Sequence, residues 1–316
     1  MSYVGVAASV TTDFGGPVLD WLRASRFDAD TAAAPSGFTL GWVGWLGYEV
    51  AGQTMGVTTG RASRYPDSAW LFVDRCIAFD HTSGEVTLLA LDDVDAYRKL
   101  VEAALASAEV PVLPTPPPTT VQWAYTDSEY VGMIEACQRA IREGDAYQLC
   151  LTTEAQVRAT PDPFTTYLAL RASSPTHHGA LLVAGGVAVL SASPEQFLTV
   201  SPDGSVESKP IKGTRARGAT AESDKRQRLE LESSEKERAE NLMIVDLMRN
   251  DIGRVSRVGS VTVTSLLAVE SYAQVHQLVS TVRGQLADGL TAIDAIAVCF
   301  PAGSMTGAPK QSATRI

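Results

Sequence analysis

Residues 179–200 read GALLVAGGVAVLSASPEQFLTV, and residues 200–213 read VSPDGSVESKPIKG. Each run folds about a two-residue turn signal, Gly185-Gly186 in the first and Asp203-Gly204 in the second. Those pairs readily supply the positive φ angles of a tight hairpin. Residues 260–286, SVTVTSLLAVESYAQVHQLVSTVRGQL, add two or three more strands. Hairpins joined by a few helices, without steady βαβ alternation, predict an α+β fold with largely antiparallel sheets.

The stretch VPVLPTPPPTTVQW, residues 110–123, holds five prolines. Proline supplies no backbone donor, so this stretch is expected to be an extended, semi-rigid connector. It separates an N-terminal α+β region (1–112) from a linker (113–122) and a C-terminal region (123–316). In the N-terminal region, GFTLGWVGWLGYEVAG (37–52) reads as a buried strand with close backbone approaches. Residues 69–91 read as two strands turning at Thr82-Ser83-Gly84, and 92–108 as a helix with acids in its first turn. In the C-terminal region, Thr126 or Asp127 can cap a helix bearing Tyr130, Ile134, Cys137 and Ile141 at helical spacing and ending at Gly144. A strand through Tyr147 to Val157 is expected to follow.

The formal net charge is −10 and the pI about 4.9, which argues against nucleic acid or an anionic membrane as the main partner. The four cysteines are scattered without a CxxC pair, and the four histidines show no zinc spacing. With no signal-peptide pattern at the N-terminus and no long apolar run, a soluble cytoplasmic protein is expected.

Against that acidic background, SKPIKGTRARG (208–218) places two lysines and two arginines in eleven positions. It reads either as a solvated turn or as a site for an anionic substrate with Lys212 as nucleophile. The second reading needs an unprotonated amine, which Lys209, Arg215 and Arg217 would favour electrostatically. Glu195, at the end of a strand in SASPEQF, is either a cap or a general acid. In ESSEKERAENLMIVDLMRND (232–251), Ser234 and Glu237 have capping-box spacing. Glu237, Glu240, Asn241, Ile244 and Met248 share one helix face, so two carboxylates top an apolar stripe. They read as acids at a helix N-terminus or as hard ligands for Mg²⁺. Strand alternation puts His276, Leu278, Ser280 and Val282 on one face. In CFPAGSMTGAPKQSATRI, an apolar helix from Ala292 to Phe300 ends at Pro301. Gly303 and Gly307 bracket Ser304 and Thr306, a possible carboxylate or phosphate cradle of backbone N–H groups.

In this order, DAYQLCLT, SASPEQF, PIKGTRARG, KERAENLMIVDLMRNDIGRV, VHQLVSTVRG and FPAGSMTGAPK resemble the chorismate-utilising enzymes. GWVGWLGYEVAG resembles an N-terminal segment of two of their branches, component I of anthranilate synthase and of aminodeoxychorismate synthase. The former usually reads PIAGT where this chain reads PIKGT, so the chain looks more like the aminodeoxychorismate branch. The resemblance implies antiparallel sheets packed as a sandwich with helices outside. It implies a chorismate-binding C-terminal region in which Lys212 adds to the ring and Glu195 serves as general acid/base. Glu240 would bind Mg²⁺, with Glu237 as an outer or water-mediated partner. Thr214, His276, Gly303, Ser304 and Thr306 would contact substrate. A glutamine amidotransferase partner would supply ammonia. Anthranilate synthase component I and a non-catalytic chorismate-binding homologue are the rival readings. Family members continue well beyond the GAPK motif with further metal-binding carboxylates, so the chain is expected to be a fragment that is inactive alone.

Overall fold

The computed structural model describes residues 1–25, 37–57, 63–109 and 119–316. The proline-rich linker expected at 113–122 lies outside the described residues as far as Pro118. The chain forms two compact units. One comprises Met1–Val50, Gly60–Pro117 and Thr160–Ala192; the other comprises Ala51–Thr59, Pro118–Ala159 and Ser193–Ile316. Residues 160–192 thus return to the first unit.

The first unit is built on one long strand. β3 (Ser68–Phe79) takes β1 (Ser2–Thr11) along one edge. Its other edge is divided between β2 (Gly41–Leu46) and β4 (Val86–Ala90). All three pairings are antiparallel, and Gly84 lies in the β3–β4 turn with φ of 77°. Helix α1 (Val18–Ala24) buries Val18, Leu19 and Leu22. Its Trp21 ring meets Trp42 at 4.8 Å between centroids, and Trp42 meets Phe72 at 4.9 Å. Helix α3 (Val94–Ala106) starts at Asp93, whose carboxylate accepts the N–H groups of Asp95 and Ala96. Helix α5 (Pro163–Ser173) precedes a hairpin of β8 (His178–Ala184) and β9 (Val187–Ser193). Gly185 and Gly186 turn that hairpin with φ of 56° and 78°, the pair of positive angles expected there.

The second unit repeats the long-strand plan. β14 (Val275–Gln285) pairs along one edge with β13 (Thr262–Ser271). Its other edge is shared by β11 (Ser205–Lys209) and β12 (Ile211–Ala216). β10 (Gln196–Val200) completes the sheet beside β11 across the Asp203-Gly204 turn. Every pairing is antiparallel, so the α+β architecture is the one the turn signals predict.

Helices α6 (Ala221–Ser233) and α7 (Glu235–Gly253) pack on this sheet. The core joins Ile244, Val245, Met248 and Ile252 of α7 to Val206 and Val282 of the sheet, and to Ala295 and Cys299 of α8 (Ala292–Cys299). Burying an aliphatic side chain of this size contributes about 1.5–3 kcal/mol. One polar side chain interrupts the stripe. Asn241 donates to the Leu278 carbonyl at 3.1 Å and accepts from the Ser280 hydroxyl. Ser280 in turn accepts the Leu267 N–H at 2.9 Å. That bond holds Leu267, whose φ of 55° falls within an irregular stretch of β13.

Helix α4 (Asp127–Glu143) is capped as expected, with Thr126 and Glu129 forming a capping box and Gly144 closing it at φ of 86°. The continuous strand expected from Tyr147 to Val157 is not formed. β6 (Gln148–Leu149) pairs with β15 (Gly307–Ala308), whereas β7 (Ala155–Val157) pairs with β5 (Val121–Trp123). Two different partners pull the segment apart. Among the described residues, no helix is long and apolar enough to cross a membrane.

Candidate active site

The turn of chain that presents Lys212 depends on the residue after it. Gly213 has φ of 89°, and a Cβ there would lie 2.9 Å from Leu231 Cδ1 and 3.0 Å from Glu237 Cβ. Only glycine allows β12 to lie this close to α6 and α7 while bending so sharply. The ladder to β14 shifts register between Ile211 and Thr214, so Lys212 sits on a distortion of the strand.

Three of the expected residues come together there. Lys212 Nζ donates to the Ser304 carbonyl at 3.2 Å. Glu195 accepts the Ile211 N–H at 3.4 Å, and its carboxyl also bonds the Ser304 side chain. Burial raises the Glu195 carboxyl above the ordinary glutamate range, while Ser304, the Ile211 N–H and the Lys212 charge pull it the other way. A carboxyl whose charged form is disfavoured by burial thus lies beside an amine, and both are tied to one loop residue.

The flanking cations are not an unpaired positive patch. Arg215 grips both carboxylate oxygens of Glu230 at 2.8 and 2.9 Å and reaches Glu237 at 3.4 Å. Arg217 forms the same fork with Asp224 at 2.7 and 2.8 Å, and Lys209 meets Glu270 at 2.9 Å. Each expected cation has a carboxylate partner, mostly supplied by α6.

The two α7 carboxylates differ. Ser234 accepts the Glu237 N–H, but the Glu237 side chain turns to Arg215 and is 14% exposed. Glu240 is 32% exposed, and the Lys236 ammonium lies 3.9 Å away. Among the described residues, no three His, Cys, Asp or Glu side chains converge as a metal cluster.

His276 does not join the Lys212 group. It is fully buried, with Nδ1 bonded to Ser271 Oγ at 2.8 Å and Nε2 to Asp224 Oδ1 at 3.0 Å. Both ring nitrogens are engaged inside the protein, with Ser271 and Asp224. Thr214 is exposed on β12, and its carbonyl accepts from Arg215. The expected N–H cradle is partly closed as well. Gly303–Thr306 forms a single helical turn, α9, in which Met305 N–H bonds Ala302 and Gly307 N–H bonds Gly303. Gly303 and Thr306 are buried, and the Thr306 hydroxyl is held by the Ala302 carbonyl at 3.2 Å. Toward Lys212 the loop offers a carbonyl.

Two further groups went unnoticed in the sequence. Asp224, in the first turn of α6, gathers Arg217, His276 and the Gly218 N–H. Asp251 and Lys310, inside two of the quoted motifs, form a buried ion pair. Acidity next to a helix start hinted at the first, but nothing local announces partners so far apart in sequence.

A family model described as chorismate binding enzyme matches residues 2–316. The chain is 45% identical over 293 residues to an aminodeoxychorismate synthase of Streptomyces pristinaespiralis, covering 87% of this chain and 40% of the relative. It is 41% identical over 323 residues to that of Streptomyces griseus, covering 97% and 44%. The chain therefore spans less than half the length of these two relatives. Among solved structures, anthranilate synthase component I from Streptococcus pneumoniae superposes with a TM-score of 0.80 at 30% identity, over 94% of this chain and 68% of that one. The motif order, the antiparallel fold and these matches agree: the chain belongs to the chorismate-binding enzyme family.

Proposed function

We propose that this chain carries the catalytic part of an aminodeoxychorismate synthase, converting chorismate and ammonia to 4-amino-4-deoxychorismate. The observation that supports this most directly is a lysine amine and a half-buried glutamate, its carboxyl raised by burial, anchored on the same residue, Ser304. In this reading the Lys212 amine adds at ring C2 as the C4 hydroxyl departs. Glu195 gives its proton to the leaving oxygen, so that water leaves. Ammonia then adds at C4, the lysine leaves from C2, and Glu195 recovers a proton from the incoming nitrogen. Dividing the substitution into two displacements is the general advantage of covalent catalysis.

Glu240 offers a partly exposed hard oxygen donor, suited to Mg²⁺ completed by water and substrate. Glu237, already shared with Arg215, would stand behind it and bond metal-bound water. When bound, Mg²⁺ would neutralise a substrate carboxylate. Ammonia would come from a glutamine amidotransferase, in keeping with the relative's designation as one component of a synthase.

The test supplies chorismate, Mg²⁺ and ammonium to a polypeptide carrying these 316 residues. Aminodeoxychorismate without pyruvate is the expected product. Anthranilate with pyruvate would overturn the reading, and so would undiminished amination by Lys212→Ala.

A further inference from the structure

Lys310 opens helix α10 (Lys310–Arg315), and its Nζ donates to the Asp251 carboxylate and, at 2.7 Å, to the carbonyl of Cys299. Cys299 ends α8, so one ammonium closes the neck of the loop that runs from Phe300 to Pro309. The pair is buried, with Lys310 12% and Asp251 6% exposed at the side chain. The same loop touches α7 a second time, one helical turn earlier. A Cβ on Gly303 would lie 2.3 Å from Leu247 Cδ2. Leu247 and Asp251 are four apart and so share one face of α7. On its far side the loop is tied by backbone bonds, Tyr147 N–H to Ala308 at 2.7 Å and Cys150 N–H to Thr306 at 3.2 Å. At its apex stands Ser304, which meets Lys212 and Glu195.

We propose that Asp251 and Lys310 are positioning residues, a charged clasp that fixes the Ser304 loop on α7 and thereby sets where the Lys212 amine is held. The inference rests on the reading of Lys212 as nucleophile only for its catalytic meaning. A small displacement of a reacting group is enough to slow a reaction strongly. A buried carboxylate and ammonium are also a demanding way to close a loop, because each is destabilising without the other. Replacing Lys310 also strips the Cys299 carbonyl of its donor, so the loop should loosen even where both charges are removed together.

The test needs no substrate. The folded chain is treated with an acetylating N-hydroxysuccinimide ester, and labelling at Lys212 is compared with labelling at exposed Lys236. Amide hydrogen exchange is followed over residues 303–308. Asp251→Leu with Lys310→Met removes both charges at once. In that variant Lys212 labelling relative to Lys236 should rise about fivefold, the loss of roughly one hydrogen bond, and the 303–308 amides should exchange faster. Lys310→Arg, which keeps charge and donors, should restore both readouts to within about twofold of the parent. If the double variant does not fold, Asp251→Asn carries the measurement, since it keeps an acceptor and loses only the charge; a smaller rise in the same direction is expected. Unchanged Lys212 labelling in a folded clasp variant overturns the proposal. Because chorismate is absent, this result and the amination assay can fail independently.

Discussion

Two polar clusters flank β12, and they differ in how completely their members are paired. Around His276, contacts are many and short: Arg217 to Asp224 at 2.7 and 2.8 Å, Gly218 N–H to Asp224 at 2.8 Å, and His276 to Asp224 at 3.0 Å. Around Lys212 they are fewer, the Lys212–Ser304 and Ile211–Glu195 bonds are long at 3.2 and 3.4 Å, and burial disfavours the charged form of the carboxyl there. A saturated network stabilises; an under-paired one keeps capacity for a ligand and for proton transfer. Residue type alone does not draw this distinction, since a histidine–aspartate pair looks catalytic and here ties α6 to the sheet.

The largest expected effect comes from Glu195→Gln. Loss of a general acid should lower kcat about 10²- to 10⁴-fold. Stability should move the opposite way. The Glu195 carboxyl is raised in the folded state, so its contribution favours folding below the ordinary glutamate value of about 4.3 and is lost as pH rises through the folded value. At pH 7 the charged carboxylate opposes folding, and an amide that still accepts from Ile211 should leave the melting temperature equal or higher. A drop of several degrees would show that Glu195 belongs with the scaffold.

His276→Ala should behave in the reverse sense. Truncating a fully buried ring leaves a cavity and removes two hydrogen bonds, a loss of about 2–4 kcal/mol. Chorismate affinity of the fraction that remains folded should change less than about twofold. Denaturant titration paired with calorimetric binding reads both. A large affinity loss at unchanged stability would place His276 at the substrate site.

How far the sequence allowed this distinction depends on the range of the interaction. Turns and caps were legible because they are local: Gly185-Gly186, Asp203-Gly204, and Thr126 with Glu129 all do what their residue types favour. So was the α7 face, where Asn241, Ile244 and Met248 are buried at the expected spacing. Pairing across long separations was not legible. The basic loop read as a positive patch because Glu230 and Asp224 come from the following helix, and Glu270 lies 61 residues from Lys209. The strand through Tyr147 to Val157 failed for the same reason, its two halves answering to partners at Gly307–Ala308 and Val121–Trp123. Helical spacing likewise predicted α4 without saying what covers Ile134 and Ile141, which are 38% and 41% exposed. The motifs brought Lys212, Glu195 and Ser304 into one account through family resemblance, whereas the bond of Lys310 to Asp251 needed coordinates.

A third effect sharpens the contrast through pH. The Arg217 guanidinium, more than the Gly218 N–H or His276, holds the Asp224 carboxyl well below the usual aspartate range. A depressed folded value means that the stabilisation is present above about pH 3.9 and is lost as pH falls below it. Melting curves of the parent and Asp224→Asn should therefore be well separated at pH 7 and draw together progressively as pH falls below about 3.9. Parallel curves would mean that the network does not draw on the charge of Asp224.

The smallest effect concerns Lys236, whose ammonium lies 3.9 Å from Glu240 with 78% of the side chain exposed. An exposed pair at that distance contributes about 0–1 kcal/mol and is screened by salt. Lys236→Ala should leave the melting temperature unchanged within error. If Glu240 binds Mg²⁺, removing a neighbouring cation should instead tighten the metal about two- to threefold at low ionic strength, an effect that fades as salt is added. Stability and metal affinity would then respond differently to one substitution, because the fold takes little from this pair while a divalent ion competes with it directly. Equal Mg²⁺ affinity in parent and variant at low salt would place the ion elsewhere and leave Glu240 as an acid at a helix start.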